Sequence, residues 1–110
     1  MTSKVRVSMF PCDNKTTITV ETTDDGDYAI NATSTCPKAE RFVNGLAMLT
    51  MEDLTNKREG RIFKEFLASD MSCNCLVLPG VITAAWVEAG LIARSNARKG
   101  VPLTIEFIND

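Results

Sequence analysis

The sequence predicts an α+β fold in two layers, in which an antiparallel three-stranded sheet is followed by helices and a closing C-terminal strand. Three observations support this prediction. Apolar and polar residues alternate through the first third of the chain, apolar residues recur at helical spacing through the middle, and the alternation returns after residue 101. The predicted order is βββαααβ. We expect residues 1–110 to form a single domain, because no linker-like or low-complexity stretch divides them.

The first three predicted elements are strands joined by tight turns. Residues 4–10 and 15–22 alternate apolar and polar side chains, and the turn Pro11-Cys12-Asp13-Asn14 lies between them. The turn Asp24-Asp25-Gly26-Asp27 then leads into a third strand. The alternating apolar residues of that strand are Tyr28, Ile30 and Ala32.

Helices are predicted in the middle of the chain. Pro37 suits the first position of a helix, which places Cys36 at or next to the N-cap. Thr50 followed by Asp53 has the spacing of a cap for a short helix. The next helix should bury an apolar stripe in the core. The residues of this stripe are Ile62, Phe63, Phe66 and Leu67.

The last two predicted elements are a long helix and a strand. Residues 79–99 are rich in apolar side chains at helical spacing and begin with a proline, so they predict one well-buried helix. Trp86 belongs to its apolar stripe and is expected to pack in the core. Gly100 should end the helix, and residues 102–108 alternate as a closing strand.

Composition excludes several functional classes. The chain has 12 basic and 14 acidic residues and a net charge of −2, so we expect no nucleic-acid partner. It has no apolar run of membrane length and no leader-like start, which predicts a cytoplasmic protein without a membrane partner. The chain also lacks histidine, which removes Ser-His-Asp and Cys-His catalysis and every imidazole ligand. No phosphate loop or paired-carboxylate motif supports an enzyme.

The four cysteines form the candidate site. Cys12 falls on a hairpin turn, Cys36 on a strand-to-helix junction, and Cys73 and Cys75 just before the long helix. Such junctions can converge at one edge of a sheet. The spacing C-x23-C-x36-C-x-C matches no zinc-finger or bacterial ferredoxin pattern. Three interpretations therefore stay open: a shared metal or cluster, incidentally buried thiols, and thiol redox cycling.

Several of these features together resemble the U-type iron-sulfur cluster assembly scaffolds, the IscU and N-terminal NifU proteins. They are a Cys-Asp pair on the first hairpin, a "DDG" turn, a cysteine that begins the helix after the third strand, and a cysteine followed by "LVLPGVITAAW". The resemblance covers residues 5–96 at the level of pattern. The chain also resembles a small archaeal and anaerobe family with a similar cysteine pattern, for which no activity is implied.

The resemblance to the scaffolds implies a nascent cluster, with a sulfur donor protein and a cluster acceptor protein as partners. Cys12 and Cys36 match the first two ligands, either Cys73 or Cys75 matches the third, and Asp13 stands for the family's aspartate. The family's histidine is missing, and Cys73 could occupy its place.

The leading prediction is a non-enzymatic domain that holds an iron-sulfur cluster or zinc. Its ligands would be the four thiolates, since four thiolates satisfy zinc without an imidazole, and Asp13 would be a substitute ligand. The thiolates are those of Cys12, Cys36, Cys73 and Cys75. The competing prediction is a non-catalytic protein-interaction module whose cysteines are buried and free of metal.

Overall fold

Four strands form one antiparallel sheet in the order β1-β2-β3-β4, in a computed structural model that describes residues 2–109. The strands are β1 (Thr2–Ser8), β2 (Lys15–Thr22), β3 (Tyr28–Ser34) and β4 (Met48–Leu49). Five helices lie within the same described range. They are α1 (Pro37–Leu46), α2 (Met51–Thr55), α3 (Arg61–Ala68), α4 (Val77–Glu88) and α5 (Arg94–Ala97). The α+β prediction is confirmed.

The helices cover one face of the sheet. Ile18 pairs with Val5 on β1 and with Ala32 on β3, so these side chains point to the same face, where α4 packs on β1 and β2 and α1 packs on β3. The core lies between these layers. Its fully buried side chains include Ile18, Val20, Val43, Leu46, Leu49, Ile62 and Val81.

Local sequence signals set the two helix starts that were predicted. Cys36 is the N-cap of α1 and Pro37 its first residue, since proline's fixed φ and missing N–H suit that position. Thr50 and Asp53 form a reciprocal capping box at the start of α2. Both predictions are confirmed. Leu67, which was assigned to the buried stripe of α3, is instead 83% exposed.

The single long helix predicted over residues 79–99 is wrong. The helix α4 begins two residues before Pro79. The first turn of a helix tolerates proline, because a backbone N–H at those positions would have no helical partner. It ends at Glu88, and Gly90 follows with a φ of +79°, a left-handed conformation that glycine adopts readily. Only the four-residue α5 follows. None of the helices among residues 2–109 has the length and apolar character needed to cross a membrane.

The predicted closing strand over residues 102–108 is also wrong, because these residues belong to no strand or helix. The fourth strand is instead β4, which pairs with the start of β3. The rest of the β3 edge, after the two residues that pair with β4, donates its hydrogen bonds to side chains of α1 and to the backbone of the α1 C-cap, Ala47. Asn44 Oδ1 accepts a hydrogen bond from Ala32 N at 2.8 Å, and Glu40 Oε2 accepts one from Ser34 N at 2.9 Å. A C-terminal strand therefore has no free backbone on that side.

Candidate functional site

Three of the four cysteines line one cavity of about 40 Å³, at the end of the sheet where β1 finishes and β2 begins. Cys12 comes from the β1–β2 loop, Cys36 caps α1, and Cys75 lies just before α4. Cys73 and Asp13 do not line this cavity, and both residues are exposed. The structure therefore brings Cys12, Cys36 and Cys75 to one cavity, but it leaves the other two predicted ligands outside that cavity.

The loop that carries Cys12 is held by a chain of polar contacts. Asn14 Nδ2 donates a hydrogen bond to Cys12 Sγ at 3.3 Å, and Asn14 Oδ1 accepts one from Thr35 Oγ1 at 2.9 Å. Thr35 Oγ1 in turn accepts a hydrogen bond from Lys15 N at 3.0 Å. These contacts join the β1–β2 loop to the end of β3.

Two of the cavity's thiols behave as small apolar side chains. Cys36 and Cys75 are half-buried and pack against the hydrophobic core. The apolar side chains around them in the cavity are Val7, Met9, Ala39 and Val77. Free cysteine commonly packs in this way, so the environment is that of core cysteines at the margin of a sheet.

The predicted four-cysteine metal site is wrong. Among residues 2–109, no group of three or more cysteine, aspartate and glutamate residues is arranged to hold a metal ion. A zinc or iron-sulfur site needs thiolates that converge on one centre, at about 2.3 Å for zinc. The donors present do not meet this requirement, so they do not fit either group. All four cysteines are free.

The competing interpretation also needs a correction. It assumed buried cysteines, but Cys12 and Cys73 are exposed and only Cys36 and Cys75 are partly covered. The part of the competing interpretation that agrees with the structure is the absence, among residues 2–109, of a metal site built from the thiols.

A different feature of the chain stands out on the surface. Residues 101–109, which we call the C-terminal segment, form no helix or strand, and every residue of the segment is exposed. The exposed fraction of its five large apolar residues ranges from 73% to 88%. They are Val101, Leu103, Ile105, Phe107 and Ile108. The sequence signal for this feature is the alternation after residue 101, which predicts a closing strand over residues 102–108.

Within residues 2–109, the seven-residue strand β1 forms an open edge of the sheet. Strand β1 is the first strand of the sheet and pairs only with β2, so the backbone groups on its other side lack a strand neighbour. We call this side of Thr2–Ser8 the β1 edge. Val5 and Val7 are only half-buried there, on the face that α4 covers, and the exposed Lys4 and Arg6 lie on the opposite face. Such an edge readily accepts a further strand.

The side chain of Glu88 is completely buried, in a cluster that joins α4 to β1, β2 and α5. Glu88 on α4 accepts hydrogen bonds from Ser3 Oγ at 2.8 Å and from Thr22 N and Oγ1 at 2.9 and 2.7 Å. Arg94 Nη1 lies 3.6 Å from Glu88 Oε1. Burial alone would raise the pKa of Glu88, but the hydrogen bonds from Thr22 and Ser3 and the charge of Arg94 outweigh it, so the pKa is lowered. A carboxylate with every oxygen engaged is a structural group rather than a free base.

A wider surface depression of about 200 Å³ lies between α1 and the end of α3. Arg41 and Asp70, which both line it, form an ion pair at 3.5 Å, and both side chains are more than half exposed. Such an exposed pair contributes little, and the mixed charges of the depression select no class of ligand.

The comparisons with known proteins add one finding. The sequence model of a family of unknown function (DUF6951) matches residues 3–100. No curated protein and no solved structure matches the chain. The matched region contains the thiol-lined cavity and nearly all of β1, and it ends directly before the C-terminal segment. The resemblance to the U-type scaffolds stays a prediction, because a match to a family without a known function bears on it in neither direction.

Proposed function

Because the chain belongs to this family of unknown function (DUF6951), we propose its role from its surface: it is a protein-interaction domain that binds a partner chain through its C-terminal segment. The observation that supports the proposal is the row of apolar side chains that lies exposed in residues 101–109.

The energetic reason lies in the size of those side chains. Burial of a leucine, isoleucine or phenylalanine side chain contributes about 1.5–3 kcal/mol each. Five large apolar residues are exposed within eight positions, and such a concentration of exposed apolar side chains marks interaction sites. Single exposed apolar residues elsewhere on the domain need no such explanation.

The pattern of the segment suits strand addition to a sheet. Leu103, Ile105 and Phe107 would share one face of a strand, and Thr104 and Glu106 would share the other. Pro102 would be the first residue of a strand over residues 102–108, a position where a missing N–H is tolerated. In this binding mode the backbone supplies affinity and the alternate side chains supply specificity.

The domain does not need the segment for its own core. Among residues 2–109, the buried hydrophobic residues that form the core lie between Ile18 and Val87, and each residue of the segment is exposed. A change within the segment should therefore alter binding and leave the free energy of unfolding nearly unchanged.

Photo-cross-linking in the cells that naturally make the chain tests the proposal. A photoreactive residue in place of Thr104 should yield a cross-linked species that disappears when Ile105→Lys is added. The same photoreactive residue in place of Lys57, an exposed position after α2, is the matched control and should not yield that species. If Thr104 gives no cross-link beyond the Lys57 control, the segment binds no partner and the proposal fails.

A further inference from the structure

We propose that the partner is a second copy of this chain, and that the C-terminal segment of each copy adds to the β1 edge of the other. This inference rests on the proposed function, since it names the partner of the same segment. Both surfaces lie on every copy, and each lacks a strand neighbour among residues 2–109. In a two-fold exchange, each of the two β1 edges therefore pairs with the C-terminal segment of the other copy, and no segment stays unpaired.

The donor and the acceptor agree in length and in face. Strand β1 has seven residues, and residues 102–108 form a stretch of the same length. If Leu103, Ile105 and Phe107 point to the helix-covered face, they extend the apolar layer beyond Val5 and Val7. These two valines are half-buried, and within residues 2–109 no further strand lies outside them.

The charges on the other face are complementary. The open face of β1 carries Lys4 and Arg6, and its two remaining residues, Thr2 and Ser8, are neutral. In the same arrangement Glu106 falls on that open face of the added strand. Opposite charges on neighbouring strands stabilise the pairing, and like charges oppose it.

The geometry near residue 94 brings the two surfaces within reach of an exchange. Arg94 at the start of α5 donates hydrogen bonds to Ser3 Oγ at 3.5 Å and to Glu88 O at 3.0 Å. The C-terminal segment therefore starts a few residues after an anchor beside β1. A two-fold axis near this anchor places the segment of each copy close to the β1 edge of the other.

The size of the interface sets the expected affinity. Each copy contributes seven donor residues and seven acceptor residues, fewer than the roughly 20–30 residues a side of a standard interface. We therefore expect a reversible dimer with a Kd on the order of micromolar. Its mass should be twice the 12.1 kDa of the chain.

Charge reversal and rescue test the pairing. By analytical ultracentrifugation, Glu106→Lys should weaken dimerisation about tenfold, and Lys4→Glu combined with Arg6→Glu should do the same. The triple variant should recover most of the affinity, because the charges are again opposite. Glu65→Lys, an exposed charge reversal on α3, is the matched control and should leave the Kd unchanged. All four positions are exposed, so circular dichroism should show the same fold in each variant.

Isotope mixing separates exchange from docking within one copy. Equal amounts of unlabelled and nitrogen-15-labelled chain, each with a photoreactive residue at Thr104, should give cross-links to β1 that combine both isotopes. Cross-links to β1 within one isotope only would mean that the segment docks on its own copy, and would overturn the exchange. A protein that stays monomeric at 200 µM, or a triple variant that shows no recovery, would overturn it as well. A different protein cross-linked to Thr104 in cells would refute the second copy as partner and leave the proposed function standing, whereas no cross-link at all would refute both.

Discussion

Glu88→Gln should lower the free energy of unfolding by about 2 kcal/mol at pH 7. The amide can keep its carbonyl oxygen on the side of Thr22, where the carboxylate accepts two hydrogen bonds at 2.9 and 2.7 Å. It then loses the charged acceptor for Ser3 Oγ and the attraction to Arg94. Hydrogen bonds to a charged group contribute about 1.5–3 kcal/mol each, and the new amide can still donate to Ser3, so the loss lies near the lower part of that range. Two kcal/mol is a large share of the roughly 5–15 kcal/mol of a typical domain.

Urea denaturation at pH 7, followed by circular dichroism, measures this loss directly. The matched control is Glu21→Gln, the same chemical change at an exposed position on β2, which should shift the free energy of unfolding by less than about 0.5 kcal/mol. Equal effects from the two substitutions would show that the buried cluster does not stabilise the fold. The slope of the free energy against urea should stay the same, because neither substitution changes the surface exposed on unfolding.

The loss of stability in Glu88→Gln relative to wild type should depend on pH, and the direction of that dependence follows from the pKa of Glu88. The pKa of Glu88 is lowered in the folded protein below its ordinary value of 4.5. Its contribution is therefore complete above pH 4.5 and is lost as the pH falls through the lower, folded-state pKa. The difference in free energy of unfolding between wild type and Glu88→Gln should stay constant from pH 7 to about pH 5 and shrink below it. A difference that grows on acidification would refute the cause given for the shift.

Three further outcomes are expected. Gly80→Ala should cost roughly 1–2 kcal/mol in urea denaturation, because the added Cβ would lie 2.5 Å from Val7 Cγ2, whereas Gly45→Ala in α1, with nothing within 4 Å, should gain about 0.5–1 kcal/mol. Asp53→Ala should lower the free energy of unfolding by about 1–2 kcal/mol, because the Asp53 carboxylate completes the capping box of α2 and accepts a hydrogen bond from Arg61 N at the start of α3. An unchanged urea midpoint would contradict this prediction. Two exposed thiols should react with iodoacetamide faster than two half-buried ones, as followed by mass spectrometry, and protection of all four together would contradict the correction to the metal site. The first pair is Cys12 and Cys73, and the second is Cys36 and Cys75.

The elements that sequence could predict are those whose signals are local. A proline at N1 and a Thr-x-x-Asp box act within one helical turn, so the starts of α1 and α2 were identified from a few residues. Strand alternation in the hairpins is equally local. The break after Glu88 was missed because apolar residues continue on both sides of Gly90, so the periodicity hides the left-handed glycine.

The elements that sequence could not predict depend on distant neighbours. Residues 102–108 have the pattern of a strand, but the pattern does not say which strand edge they would pair with, and within residues 2–109 they pair with none. The two-residue β4 has almost no pattern, and its pairing follows from the way α1 returns the chain to β3. Thiol placement has the same limit. The sequence located the cysteines at the ends of elements, but the packing of Cys36 and Cys75 against the core decides where their sulfur atoms lie.

The buried cluster around Glu88 connects the stability of the domain with its proposed interaction. It binds Ser3 on β1 and, through Arg94, fixes the start of α5, so one carboxylate positions both the open edge and the anchor of the C-terminal segment. An exposed apolar segment beside an open strand edge favours uncontrolled association unless its geometry limits the number of partners. An anchor a few residues before the segment imposes such a limit, because it keeps the start of the segment near the β1 edge on each copy. A short connection of this kind favours a two-fold exchange, in which the same two surfaces meet twice and the assembly closes as a dimer.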